Sequence, residues 1–314
     1  MKLLITAEYS KVGMKELTSL FQTIDYQPWT NRGKGLTAEE LCEKLSGGAY
    51  DALITELDEV SGDVLRKFPK LKFIGDCRGN PTNIDLQTAK ELGIPVFCTP
   101  ARNAQAVSEM LVGMMLSFYR NIPSAVEYVD QGRWIQPPPH TYYKFQGNEL
   151  CGKKVGFVGL GAIGRKTAQI IRAFDTEILY YDPYVQSADF TSASLDRIFT
   201  ECDIISIHLP VSDETRGMIG ADLLTRMKKT AVLVNTARSA VIDSKCLYGI
   251  LASKSIKGAV LDVLDHEPPN EDDLKLVKLP NVLVTPHICG ATFEVVDHQS
   301  KILNDQIKEY FALV

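Results

Sequence analysis

No stretch of the chain holds the roughly 18 uninterrupted apolar residues that a membrane-spanning helix needs, so no span is expected. The opening MKLLITAEYS has too short an apolar run for a secretory leader and no small-residue cleavage pattern, which makes a cytoplasmic location the expectation. No CxxC pair occurs, and the seven cysteines, at 42, 77, 98, 151, 202, 246 and 289, are odd in number and scattered. Reduced thiols are therefore expected, with neither a disulfide framework nor a metal site. There is no long basic run. Lys and Arg total 34 against 39 Asp and Glu, a formal net charge of −5, which argues against a nucleic-acid or anionic-membrane partner. Repeats and low-complexity tracts are also missing.

What is present is an ordinary globular composition, 45% hydrophobic and 23% charged over 314 residues. That length suits one large or two medium domains and can bury roughly three-quarters of the unfolded surface. Short apolar runs alternate with helix-length amphipathic segments. KLLIT, DALIT, LKFIG and IPVFC form a first series of expected strands, with TAEELCEKL and TNIDLQTAKELG as helices between them. A second series begins at residue 154: KVGFVG, EILYYD, DIISIHLP, AVLVN, KGAVLDV and NVLVTPH. Strand–helix alternation implies parallel sheets with helices on both faces. Between the series, NAQAVSEMLVGMMLSFYRNI reads as a long helix whose Met/Leu stripe serves the core or a subunit interface. DQGRWIQPPPHTYYKFQGNEL reads as an extended arm, and ATFEVVDHQSKILNDQIKEYFALV as a final amphipathic helix.

In VGFVGLGAIGRKTAQII, Gly159, Gly161 and Gly164 have GxGxxG spacing after a strand and at the opening of a helix. The first glycine makes the tight turn, the second admits a pyrophosphate, and the third allows close helix–strand packing. The helix N-terminus offers free N–H groups to the phosphates. Asp182 lies at the end of the next strand, 18 residues past Gly164. A carboxylate there accepts hydrogen bonds from ribose hydroxyls and repels a 2′-phosphate, so NAD is the expected cofactor rather than NADP. A structural turn without nucleotide, or another ligand of the same fold, is the alternative.

Three further residues follow strands of the second series: Arg238 after AVLVN, Glu267 in LDVLDHEPP, and His287 in VLVTPHICGAT. Ligands of open α/β sheets bind outside the carboxyl ends of the strands. Hydride transfer to or from a secondary alcohol needs a group that handles the hydroxyl proton, and a histidine can do so near neutral pH. A glutamate partner favours the imidazolium and holds one tautomer. An arginine can grip a carboxylate through two parallel hydrogen bonds. Taken singly, a salt bridge at a strand end and a plain loop would explain Arg238 and Glu267 equally well. Together the three suggest a site.

These motifs, in order, are ELCGKKVGFVGLGAIG, HLPVSDETRGMI, MKKTAVLVNTARSAVID, LDVLDHEPP and LPNVLVTPHICGAT. The sequence thereby resembles the D-isomer-specific 2-hydroxyacid dehydrogenases, which include glycerate, phosphoglycerate, lactate and hydroxyisocaproate dehydrogenases. The resemblance covers nearly the whole chain. It implies an α/β protein of two doubly wound parallel-sheet domains. A Rossmann NAD-binding domain, 101–288, would be inserted into a flavodoxin-like substrate domain, 1–100 with 289–314, with the cleft between them. It implies Arg238, Glu267 and His287 as the catalytic trio. It implies a cofactor set of Gly159, Gly161, Ala162, Ile163, Gly164, Asp182, His208, Pro210, Thr236, Ala237 and Asp262. A homodimer formed through 101–150 is expected, with arm residues reaching a partner's cleft. Relatives usually carry Arg-Gly where this chain has Arg238-Ser239, which raises the question of whether that turn needs a positive φ.

The family's substrate loop corresponds here to FIGDCRGNPTNIDL, with Arg78, Gly79 and Asn80 at the turn and Asn103 in the hinge-like PARNAQAVSE. Arg78, where many relatives have small neutral residues, suggests a second anionic or polyhydroxylated group on the substrate; pointing to solvent is the alternative. The expected activity is NAD-dependent interconversion of a D-2-hydroxy acid and its 2-keto acid. The rival is an NAD-sensing, corepressor-like binding protein of the same family. Formate dehydrogenases resemble a Gln–His pairing, and Glu267 speaks against them. No regulatory domain is expected after residue 314.

Overall fold

The computed structural model describes residues 1–137 and 139–313; Pro138 of the expected arm and Val314 of the expected last helix lie outside the described residues. The chain divides into two compact units, Met1–Asn103 with Ala291–Val314, and Ala104–Gly290.

In the first unit, strands β1 (Lys2–Ile5), β2 (Thr23–Tyr26), β3 (Ala52–Thr55), β4 (Ile74–Asp76) and β5 (Val96–Cys98) form an all-parallel sheet in the order β2-β1-β3-β4-β5. That is the flavodoxin-like order. Strand β2, TIDY, was not among the expected strands. It is an edge strand with no fully buried residue, so it lacks the apolar run that marks the others. The central strands are buried on both faces. In β3, Leu53 packs on one side, and Ala52 and Ile54 pack on the other. Helix Ala38–Gly48 starts at a capping box between Thr37 and Glu40, worth about 1 kcal/mol. The expected helix over 82–93 is confined to Leu86–Glu91, because Asp85 caps its N-terminus. Helix Glu294–Leu313 returns to this unit. Its Leu303 and Ile307 are fully buried, each contributing about 1.5–3 kcal/mol. The buried Asn304 donates to Gly13 O at 3.0 Å and accepts from Tyr9 OH at 2.7 Å.

In the second unit, strands β6 (Lys154–Val158), β7 (Glu177–Tyr181), β8 (Thr191–Ser192), β9 (Ile204–Ile207), β10 (Val232–Asn235), β11 (Gly258–Leu261) and β12 (Val282–Val284) form a parallel sheet in the order β12-β11-β10-β9-β6-β7-β8. This is Rossmann topology, with the order reversing between β6 and β9. Strand β8, two exposed residues at the edge, was also not anticipated. Alternate residues face separate cores, Leu233 one way and Val232 and Val234 the other. Burial on both faces is why the strands read as continuous apolar runs. The long helix is Ala104–Tyr119, and Val107, Leu111, Met114 and Met115 of its stripe are buried in this unit's core.

The expected extended arm, 130–150, holds one short helix among its described residues, His140–Lys144. Ahead of it, the segment Ile122–Asp130 forms a helix with Pro123 in its first turn, which was not anticipated. All seven cysteines are free. Among the described residues, no helix is long and apolar enough to cross a membrane and no cluster of His, Cys, Asp or Glu could hold a metal.

Candidate functional site

The glycine loop leaves β6 at the point where the strand order reverses. Gly159 sits at φ +95°, in the left-handed half of φ space, and a Cβ there would lie 2.7 Å from His208 O. A Cβ on Gly164 would lie 2.5 Å from Gly159 O. These two positions demand glycine for the protein's own folding. Gly161 does not. A Cβ there would meet nothing within 4 Å, and its φ of −66° is open to any residue. The free space beside it is what an approaching pyrophosphate requires. Gly161 caps helix Ala162–Arg172, whose first turn carries Ala162, Ile163 and Gly164 with amides that have no intrahelical acceptor.

Asp182 follows β7 and is half-buried. Its Oδ2 accepts Leu160 N at 2.7 Å, and its Oδ1 accepts Tyr184 N and Val185 N at 2.9 and 3.0 Å. The carboxylate therefore braces the glycine loop from the neighbouring strand while keeping further lone pairs for ribose hydroxyls.

His208 and Pro210 follow β9. The His208 ring stacks on Phe157, centroids 5.5 Å apart, and its Nε2 lies 2.9 Å from Ser206 Oγ. Its Cγ would be 3.4 Å from a Cβ on Gly164. Burial pulls its pKa down to about 4, so it is a neutral wedge under the glycine loop. Pro210 is exposed. Thr236, just past β10, is buried, and its Oγ1 has no hydrogen-bond partner among the described residues. An orphaned hydroxyl at the carboxyl edge of the sheet suits a site completed by a ligand. These features together fit a dinucleotide.

Arg238, Glu267 and His287 follow three adjacent strands, β10, β11 and β12. Asn235, which ends β10 and is 1% exposed, builds the turn: its Oδ1 accepts Ala237 N at 3.0 Å and its Nδ2 donates to Arg238 O at 2.9 Å. The chain then leaves the sheet with Arg238 exposed and, among the described residues, Nη1 bonded only to Ala237 O at 2.7 Å. Ser239 opens a 3-10 turn and is not among the positive-φ residues, so serine is unstrained there.

His287 Nδ1 lies 2.7 Å from Glu267 Oε2, while Glu267 Oε1 accepts Leu264 N at 3.3 Å. The two side chains are 47% and 41% exposed, open to an incoming molecule. With Nδ1 engaged, Nε2 is the atom left to meet it. His287 itself is held in the left-handed region, at φ +53°. The cause is a bracket made by Asp262, a buried carboxylate at the end of β11. Its Oδ1 accepts Thr285 Oγ1 at 2.5 Å and Ile288 N at 2.9 Å, and its Oδ2 accepts Cys289 N at 2.9 Å. Asp262, expected to touch cofactor, thus has both oxygens committed to the histidine loop. Sequence reasoning missed this bracket and the part played by Asn235. Both are buried polar residues at strand ends, and that is the signal that could have found them.

In the first unit, Arg78, Gly79 and Asn80 follow β4, with Arg78 half-buried and the other two exposed. Thr99 N donates to Arg78 O at 2.9 Å. Asn103, half-buried, closes that unit's first segment.

A family profile described as the D-isomer specific 2-hydroxyacid dehydrogenase NAD binding domain matches residues 112–289. The putative 2-hydroxyacid dehydrogenase YoaD of Bacillus subtilis is 45% identical over 312 residues, covering 99% of this chain and 91% of YoaD. A crystal structure of a putative D-isomer specific 2-hydroxyacid dehydrogenase from a Polaromonas species aligns with TM-score 0.85 at 26% identity, over 99% of this chain and 96% of that one. The D-lactate dehydrogenase of Lactobacillus jensenii, solved with NAD+, aligns with TM-score 0.78 at 28% identity, over 98% and 96%.

Proposed function

Because the chain belongs to the D-isomer specific 2-hydroxyacid dehydrogenase family, an NAD-binding family of CH–OH oxidoreductases, we propose that it interconverts a D-2-hydroxy acid and its 2-keto acid, with His287 as acid–base. The observation that carries this is the 2.7 Å pair of His287 Nδ1 and Glu267 Oε2 at the carboxyl ends of neighbouring strands. When bound, the nicotinamide supplies or accepts the hydride at C2. In the reducing direction His287 gives its Nε2 proton to the carbonyl oxygen, a contribution of roughly 10²–10⁴ in rate. Glu267 holds the ring in place and balances the imidazolium charge. Arg238, with a guanidinium bonded only to its neighbour's carbonyl, grips the C1 carboxylate. In the first unit, the amides around Gly79 and Asn80 are proposed to donate to a substrate carboxylate, and Asn103 is assigned to the same substrate set.

For the cofactor, Gly159, Gly161, Ala162, Ile163 and Gly164 would cradle the pyrophosphate, and Thr236 Oγ1 would gain the partner it lacks. Asp182 would receive the adenosine ribose hydroxyls and disfavour a 2′-phosphate. A homodimer is supported by an exposed apolar stripe, Ile122, Val126 and Val129 on one helix face, continued by Trp134 and Ile135. Seven free thiols suit a reducing cytoplasm. The test is NADH consumption against a panel of 2-keto acids, including glyoxylate, hydroxypyruvate and pyruvate. Turnover of at least one supports the assignment. Tight NADH binding with no turnover of any would favour the NAD-sensing alternative.

A further inference from the structure

We propose that Arg102 is a positioning residue for substrate: through Glu56 and Gln299 it clamps the turn over 99–102 and holds Ala101 in a left-handed conformation, and that turn in its turn supports Arg78-Gly79-Asn80. The inference rests on the reading that the Gly79 turn binds substrate, and its test separates the two.

The segment over 99–102 follows β5 and lies against Gly79. A Cβ on Gly79 would meet Pro100 Cα at 3.5 Å and Thr99 O at 3.6 Å. Thr99 N donates to Arg78 O at 2.9 Å. A shift of the one turn is therefore passed to the other. Within the segment, Ala101 has φ +62°, where the Cβ of an L-residue crowds the following carbonyl. Glycine is the residue suited to that conformation. Ala101 is exposed, so packing of its own methyl does not offset the cost. The restraint has to come from its neighbours.

Arg102 supplies it. Its Nη2 lies 2.9 Å from Glu56 Oε1, and its Nη1 donates to Gln299. Both acceptors are themselves fixed. Glu56, just past β3, is 8% exposed, and its Oε2 accepts Trp29 Nε1 at 2.8 Å. Gln299, on the last helix, is fully buried, and its Nε2 donates to Glu8 O at 2.6 Å. The same helix grips the backbone on either side of Ala101. Gln306 Nε2 donates to Cys98 O at 2.8 Å, and His298 Nδ1 donates to Arg102 O at 3.1 Å.

A planar guanidinium with donors aimed at two fixed acceptors resists rotation of the residue that carries it. Turning the peptide between Ala101 and Arg102 would pull the guanidinium off both, so the pair keeps Ala101 left-handed. With Nη1 and Nη2 so engaged, Arg102 acts on substrate through the turn rather than by contact.

The experiment uses the whole chain. Removing Arg102 alone would strand the buried Glu56 carboxylate. The pair is therefore removed together as Glu56→Gln with Arg102→Met, in which the glutamine oxygen can still accept Trp29 Nε1. KM for the best keto acid of the panel should rise roughly 5- to 30-fold, the factor by which a left-handed alanine is disfavoured when nothing holds it. Both kcat and the Kd for NADH should move less than about twofold. Exchange of the Thr99 amide, which Arg78 O protects, should speed up. Adding Ala101→Gly should bring KM and exchange back toward the wild type, since glycine takes the left-handed conformation freely. A purely structural ion pair would not respond to that change. If KM and exchange are both unchanged in the double variant, the proposal is overturned, and a rise that Ala101→Gly does not reverse overturns it too. Faster exchange that Ala101→Gly reverses, with KM unchanged, leaves the clamp standing and removes the Gly79 turn from substrate binding. The exchange arm needs no substrate. If the double variant does not fold, Arg102→Lys, which keeps a charge beside Glu56 and gives up the bond to Gln299, is read by the same criteria.

Discussion

Replacing Asp262 by Asn separates two roles that a buried acid beside a dinucleotide fold could have. The side chain keeps its shape but loses its charge and one acceptor. In the structure, Oδ1 serves Thr285 Oγ1 and Ile288 N, and Oδ2 serves Cys289 N. An amide can keep its oxygen toward the first pair. Its NH₂ then confronts Cys289 N–H, a backbone donor in a buried setting. One charge-assisted bond, worth about 1.5–3 kcal/mol, is lost, and an unsatisfied N–H adds about 1–3 kcal/mol. The bracket holds His287 at φ +53°, a conformation that costs on the order of 1–3 kcal/mol for a residue with a side chain. A loss of about 3 kcal/mol is enough to let the loop relax. At about 1.4 kcal/mol per decade, kcat for keto-acid reduction should fall roughly 10- to 100-fold. Steady-state kinetics give kcat, and quenching of protein fluorescence by NADH gives the cofactor Kd, which should move less than about threefold. A weakened Kd with unchanged kcat would show that Asp262 serves the cofactor and that the bracket is incidental.

Other expectations are equally direct. Asp182→Asn keeps the backbone bonds that one oxygen can accept but removes the charge, so the ratio of kcat/KM for NADH over NADPH should shrink; equal use of both cofactors by the wild type would defeat the argument from that carboxylate. If Arg78 holds a distal anion, Arg78→Ala should lower kcat/KM for keto acids bearing one by roughly 10- to 150-fold, from about 1.5–3 kcal/mol per charged contact, and leave pyruvate and glyoxylate nearly unaffected. Equal losses for short and long substrates would instead make Arg78 a support for its loop. Arg238→Ala should impair every substrate, because all carry the C1 carboxylate, and retention of activity with any of them would refute the anchor role.

Much of the second unit is legible in the sequence because its strands are buried on both faces and leave uninterrupted apolar runs. The same logic explains the omissions. Strands β2 and β8 lie at sheet edges, where one side meets water and the apolar signal fades. Helix Ile122–Asp130 has no fully buried residue, so its Ile122, Val126 and Val129 stripe had no core partner to reveal it. In the site, Arg238, Glu267 and His287 stand out because each interrupts or follows an apolar run. The residues that aim them do not. Asn235 and Asp262 sit at the ends of ordinary strands, and only the direction of their side chains gives them work. Asp182 was legible as a carboxylate at the right distance, but not as a brace for Leu160 N, since that bond spans two strands.

The central claim is that His287 handles the proton in reduction of a 2-keto acid, and the most direct measurement is single-turnover oxidation of bound NADH by the best substrate of the panel in wild type and in His287→Gln. The account predicts a fall of roughly 10²–10⁴ in the chemical step with NADH affinity retained. A variant that turns over at the wild-type rate would contradict it.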